Sequence, residues 1–227
     1  MTKEIDDIIN KALAQNRQKL SEYESTRIMA GEGMPMAKGI IAQDFTNVKN
    51  AAEEIGYPVV LKVCSPEVSH KTESGLVAVN LGNEADLEAA FQKINKASSV
   101  KEGGFLIQEM VKGERELVIG MIRDPQFGPC AMFGLGGIFT EIMGDVSFRP
   151  APLSEVDALE MIGEIKGRKI LDAVRGMPAV NIDSLVQCLM TISRIGMEYE
   201  AIQAIDINPL IVRGTSAVGV DALVVLR

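Results

Sequence analysis

Three features of this 227-residue sequence predict an α/β (α+β) protein of two lobes. Apolar residues at helical spacing alternate with short β-branched runs bounded by Gly and Pro, as expected of helices packed on sheets. Lys101-Glu-Gly-Gly104 interrupts that alternation with a polar, glycine-rich break suited to a lobe boundary. Beyond it strands dominate, and prolines restrict Val146-Ser-Phe-Arg-Pro-Ala-Pro152 to a sheet edge, because proline removes a ladder donor. The expected organisation is an N-terminal helix over residues 1–20, a first lobe over 21–104 and a second over 105–227.

The elements follow in order. Ile5, Ile8, Ile9, Ala12 and Leu13 share a helical face, giving an amphipathic helix to about Leu20. Ser21 opens a second helix that Gly31 and Gly33 end, and Thr46 a third that runs through Val48, Ala51, Ala52 and Ile55 to Gly56. Tyr57-Pro-Val-Val-Leu61 reads as a buried strand and Leu76-Val-Ala-Val-Asn-Leu81 as the next. Asn83-Glu-Ala-Asp86 caps a helix whose apolar face is Leu87, Ala90, Phe91 and Ile94. The second lobe begins with the strand Phe105-Leu-Ile-Gln-Glu-Met110, and turns at Lys112–Arg115 and Arg123–Pro129 separate it from Glu116–Ile122 and Cys130–Phe133. Helices are expected from Ser154 to about Ile165 and from Asn181 to about Gly196. Two strands close the fold: Gln203–Pro209, continued by Leu210-Ile-Val-Arg213, and Ala217–Val225.

Composition narrows the function classes. With 47% hydrophobic and 24% charged residues the chain has the profile of a soluble globular protein. Its 23 basic against 31 acidic residues give a net charge of −8, without the basic surplus of a nucleic-acid binder. Cys64, Cys130 and Cys188 are far apart in apolar runs, which points to free thiols in a reducing compartment. No signal peptide or membrane-spanning run is recognisable, so a cytoplasmic location is expected.

Chemistry concentrates in two places. The first is Lys62-Val-Cys-Ser-Pro-Glu-Val-Ser-His70-Lys-Thr-Glu-Ser-Gly75, which holds the only histidine of the chain. Lys62 interrupts a buried strand and is costly there without an anion, unless the strand end is exposed. His70 lies on a polar loop, where it is either a solvated surface residue or a nucleophile for phosphoryl transfer, since imidazole nitrogen is competent near neutral pH. The second place is the pair of terminal strands. Asp206 and Asn208, two residues apart, point to one face, and a hairpin turn at Arg213-Gly-Thr-Ser216 lets Asp221 reach it. Converging oxygen atoms suit a hard cation such as Mg²⁺; Asp206 could equally be a turn former and Asp221 a structural acceptor. The glycines of Gly134-Leu-Gly-Gly137 fit either an anion-binding backbone or a plain turn.

Seven blocks together resemble a known family: Gly56-Tyr-Pro-Val-Val-Leu-Lys62, Ser65-Pro-Glu-Val-Ser-His70-Lys, Gln108-Glu-Met110, Gly113-Glu-Arg-Glu116, Arg123-Asp-Pro-Gln-Phe-Gly-Pro129, Phe133-Gly-Leu-Gly-Gly-Ile-Phe139 and Asp206-Ile-Asn-Pro-Leu210. The family is the ATP-grasp β subunits of ADP-forming acyl-CoA synthetases (acetate:CoA ligase, ADP-forming), relatives of succinyl-CoA synthetase. The resemblance implies an ATP-grasp fold of two lobes with mixed or antiparallel sheets and the nucleotide between them. It implies ATP/ADP and Mg²⁺ as cofactors. Lys62 would contact the nucleotide's phosphates or adenine, Glu109 the adenine amino group, Met110 and Val111 would offer hinge backbone contacts, and Glu116 would hold the ribose. Asn208 and Asp221 would bind Mg²⁺, His70 would become the phosphohistidine, and Asp206 would orient it.

The sequence lacks a Gly-x-Gly-x-x-Gly fingerprint opening a helix, so a CoA-binding domain is expected on a partner. That partner would be an α subunit carrying CoA-binding and ligase domains, in an α2β2 assembly. The alternatives are a self-sufficient ATP-grasp carboxylate–amine ligase, which needs no histidine loop, and a non-catalytic nucleotide-binding regulatory subunit, which needs neither His70 nor the metal ligands.

Overall fold

Two antiparallel sheets organise the chain, each backed by helices whose caps and apolar stripes are written in the sequence. The computed structural model describes residues 2–66, 75–98, 103–137 and 144–227. Helix α1, Thr2–Ala14, carries Ile5, Ile9 and Ala12 on one stripe, and all three are buried. Helix α2, Glu22–Gly31, starts from reciprocal capping: the Ser21 N–H and hydroxyl donate to Glu24 Oε2 at 2.8 and 2.9 Å, and the Glu24 N–H donates to Ser21 Oγ at 3.3 Å.

The smaller compact unit comprises Ser21–Glu24 and Ala37–Met110. Its elements are β1 (Gly39–Ala42), α3 (Phe45–Ile55), β2 (Val59–Cys64), β3 (Val77–Leu81), α4 (Glu84–Ala97) and β4 (Gly104–Glu109), with sheet order β1-β4-β2-β3. Asp44 caps α3, accepting from the Asn47 N–H at 2.9 Å, two residues before the expected start at Thr46. Asn83 caps α4, accepting from the Asp86 N–H at 3.0 Å. Val48, Ala52, Leu87 and Ile94 pack with Val59, Leu61, Val63, Phe105 and Ile107, and the rings of Phe45, Phe91 and Phe105 stack at 5.2 and 4.6 Å between centroids. Each buried aliphatic side chain contributes about 1.5–3 kcal/mol relative to exposure, so this core holds β2 and β4 in place.

The larger unit comprises Met1–Leu20, Ser25–Met36 and Val111–Arg227. It contains β5 (Arg115–Asp124), β6 (Gly128–Leu135), β7 (Val146–Pro150), α5 (Glu155–Glu164), α6 (Ile182–Glu198), β8 (Ile202–Arg213), β9 (Ser216–Gly219) and β10 (Leu223–Leu226). The sheet order is β10-β8-β5-β6-β7, with β9 also paired to β8, and β7 occupies the edge its prolines demand. Leu117, Ile119, Phe133, Ile205 and Ile207 join Leu185, Leu189 and Ile192 of α6 in one buried cluster that also takes in α1. Strand alternation turns Ile122, Phe148, Asp206 and Asn208 away from that cluster, and all four are exposed.

Three differences from the sequence expectation have physical causes. The first compact unit runs to Met110 rather than to 104, because β4 is paired on both edges, with β1 and β2. Gly103 and Gly104 serve packing there: a Cβ on Gly103 would lie 2.3 Å from the Cys64 carbonyl oxygen, and one on Gly104 2.7 Å from that of Ala42. Strand β1 was not expected, since four residues carry no periodicity, and it is a strand by virtue of pairing with β4. The last expected strand is two, β9 and β10, which pair with opposite ends of β8 on either side of Pro209.

Candidate functional site

Lys62 is buried, 8% exposed, and its anionic partner is part of the protein: Nζ donates to Glu22 Oε1 at 2.5 Å, and Glu22 is 4% exposed. Glu22 stands in the first turn of α2, where the helix dipole favours a carboxylate. Register places Lys62 opposite Leu106 and Val60 opposite Gln108, so Gln108 shares the face of Lys62. Gln108 is buried and its Nε2 has no hydrogen-bond partner among the described residues, an unusual state for a buried donor. Glu109 pairs with Val59 and therefore belongs to the opposite face of the strand.

At the end of β4 the backbone is held tightly. The Glu109 N–H donates to the Lys38 carbonyl at 2.9 Å, and Glu109 Oε1 accepts from the Lys38 N–H at 3.0 Å. The Met110 N–H donates to the Pro58 carbonyl at 3.2 Å, so this hinge donor already has a protein partner. Between Met110 and Val111 the chain passes from one compact unit to the other, and Val111 is buried. Glu116, on β5, is exposed while its neighbour Arg115 is buried at 2% and donates to the carbonyls of Pro178 at 2.8 Å, Ile170 and Gly214 at 3.3 Å, and Asp172 at 3.4 Å. That anchoring fixes the strand end from which Glu116 projects. The glycine run lies against the same place: the Gly136 N–H donates to the Glu116 carbonyl at 2.7 Å, and a Cβ on Gly136 would sit 2.8 Å from the Glu116 carbonyl carbon. Close approach of two backbones therefore accounts for this glycine.

On β8, Asp206 and Asn208 are exposed between buried Ile205, Ile207 and Leu210. Leu210 pairs with Gly219 and Asp206 with Leu223, one continuous register, so Asn208 lies level with Asp221 in the gap between β9 and β10. Desolvation by burial raises the Asp206 carboxyl above the ordinary carboxylate range, although the residue as a whole is exposed. The Asn208 amide oxygen on β8 and the Asp221 carboxylate level with it, with Asp206 two residues along the same face of β8, fit a hard, partly hydrated cation such as Mg²⁺. Among the described residues no group of three or more His, Cys, Asp and Glu side chains could hold a metal by itself, so water and ligand oxygens would complete the shell.

His70 lies outside the described residues. Glu22 and Arg115 were not among the sequence candidates for a site. Glu22 is 40 positions from its partner, and no local pattern announces the pairing. The buried Lys62 was the available signal, because it required an anion.

A model of the ATP-grasp domain matches residues 11–226. The β subunit of acetate–CoA ligase [ADP-forming] I of Pyrococcus furiosus is 43% identical over 225 residues, spanning 97% of each chain. The chain belongs to the ATP-grasp family of ADP-forming acyl-CoA ligase β subunits. It is also 41% identical to acetate–CoA ligase [ADP-forming] I of Archaeoglobus fulgidus, of which it spans 31%. Among solved structures, the acetyl-coenzyme A synthetase 1 of Ca. Korarchaeum cryptofilum, in complex with coenzyme A, Ca-AMPCP and HgCl⁺, superposes with a TM-score of 0.95 at 41% identity, covering 98% of this chain and 99% of that one. A second complex of that enzyme, with coenzyme A and Mg-AMPPCP and its phosphohistidine segment pointing towards the nucleotide site, gives a TM-score of 0.89 at 41% identity over 98% of this chain and 100% of that one. No described helix of the present chain is long and apolar enough to cross a membrane.

Proposed function

We propose that this chain is the nucleotide-binding, phosphoryl-transferring β subunit of an ADP-forming acyl-CoA synthetase. With an α subunit it would interconvert acid, CoA and ATP with acyl-CoA, ADP and phosphate. The observation that carries this is similarity to the β subunit of acetate–CoA ligase [ADP-forming] I, 43% identical over 97% of both chains. That the chain spans 31% of acetate–CoA ligase [ADP-forming] I of Archaeoglobus fulgidus supports a separate partner here that carries the remaining functions.

In this proposal Lys62, Glu109, Met110, Val111 and Glu116 bind ATP or ADP. Asn208 and Asp221 would hold Mg²⁺, which would neutralise phosphate charge. An acyl phosphate formed on the α subunit passes its phosphoryl group to a histidine there, then to His70, and finally to ADP, with Asp206 orienting His70. The complex of the Korarchaeum enzyme with coenzyme A and Mg-AMPPCP, its phosphohistidine segment pointing towards the nucleotide site, supports the nucleotide, metal and histidine assignments. An α2β2 assembly in the cytoplasm completes the proposal.

The test is reconstitution. Alone, the chain should bind Mg·ADP yet form no acyl-CoA from a panel of carboxylates, CoA and ATP; co-expressed with its α subunit it should form the thioester. Ligase activity of the isolated chain would overturn the two-subunit assignment.

A further inference from the structure

The buried pair of Lys62 and Glu22 joins residues that the proposed nucleotide site needs to residues it does not mention. Lys62 sits on a strand whose position is fixed by β3 and β4 on either side, but its four-carbon stem is flexible and its ammonium could take several directions. At 2.5 Å from Glu22 Oε1, with the two side chains 9% and 1% exposed, it is held in one of them. The carboxylate is itself fixed. It stands in the first turn of α2, and Ser21 and Glu24 on either side of it form the reciprocal cap of that helix. Gln108, with an unpartnered buried amide nitrogen, lies on the same face of the sheet, so the region already contains a second donor awaiting an acceptor.

We infer that Glu22 is a positioning residue for nucleotide binding: its carboxylate keeps the Lys62 ammonium aimed, so that it meets a nucleotide phosphate or base without first being ordered. The inference rests on the proposed contact between Lys62 and the nucleotide. A purely structural pair would stabilise the smaller unit and leave affinity alone. A positioning carboxylate makes affinity depend on both residues jointly, since its effect on the nucleotide runs through Lys62.

The test is a double-mutant cycle on the full chain, titrated calorimetrically with Mg·ADP, each variant first checked for a native circular dichroism spectrum. Lys62→Met should weaken binding about tenfold or more, and Glu22→Gln about fivefold or more, whereas Glu22→Gln placed in the Lys62→Met background should change affinity less than about twofold. If Glu22→Gln alone does not fold, Glu22→Asp carries the same cycle, with a smaller loss of about threefold that again vanishes once Lys62 is gone. Equal losses in both backgrounds, or none in either, overturn the inference while leaving Lys62 in the nucleotide site. Unchanged affinity in Lys62→Met removes Lys62 from that site, and the inference with it.

Discussion

The two sheets treat charge in opposite ways. On β2 of the smaller unit a lysine is buried and neutralised by a glutamate from α2. On β8 of the larger unit Asp206 and Asn208 stand on the exposed face, between isoleucines that carry the core. A buried charge must be paired inside the protein, so Lys62 is part of the fold as well as of any site. The exposed Asn208 amide costs the fold little and can serve a ligand. One region should therefore answer to mutation in stability, the other in metal dependence.

The largest effect should come from breaking the buried pair on one side. Glu22→Gln leaves an ammonium without its carboxylate and should cost about 3 kcal/mol, whereas Glu22→Gln with Lys62→Met should lie within about 1 kcal/mol of the parent in urea unfolding. A double variant as unstable as the single would show that Glu22 supports the fold independently of Lys62.

Next in size is the contact of glycine with strand backbone beside Glu116. Gly136→Ala forces a methyl to within 2.8 Å of the Glu116 carbonyl carbon, where only backbone could yield. A loss of about 1–3 kcal/mol is expected. Retention of parental stability would mean that the two backbones separate readily and that the glycine serves something other than packing.

Smaller stability changes are expected for Asn208→Ala, within about 0.5 kcal/mol at an exposed position, and for Asp221→Ala, about 1 kcal/mol at a half-buried one. In the assembled enzyme both should raise the Mg²⁺ concentration needed for half-maximal rate. Titrations that superpose on the parent would make these residues structural and erase the contrast between the sheets.

Least of all should be the response of α5 to acid. The Ser154 hydroxyl and backbone N–H donate to Asp157 and hold its carboxyl below the ordinary range. A depressed folded pKa contributes stability that is present above the unfolded value of about 3.9 and is lost as pH falls through the folded one. Asp157→Asn should flatten that part of the acid-unfolding curve; an unchanged curve would show that the cap does not titrate with folding.

Much of the fold was legible because its signals are local. Asn83, Ser154 and Asn181 cap the helices they were expected to open, and Pro150 keeps β7 at an edge. Where pairing decides, the sequence was silent: β1 is a strand because β4 lies beside it, and Gly103-Gly104, which looked like a linker, is demanded by the carbonyls of Cys64 and Ala42. The site divides the same way. Asp206 and Asn208 could be placed on one face from a spacing of two, and the register sets Asn208 level with Asp221. Glu22 could not be foreseen, because nothing in 40 residues of separation marks it as the partner of Lys62.

The central claim is that this chain carries phosphate on His70, and labelling tests it most directly. The assembled enzyme incubated with γ-labelled ATP and Mg²⁺ should acquire an acid-labile, base-stable phosphate on this chain. His70→Ala should abolish both label and turnover, the latter by several powers of ten, while Mg·ADP still binds. Substantial turnover in His70→Ala, with the α subunit still labelled from ATP, would contradict the account.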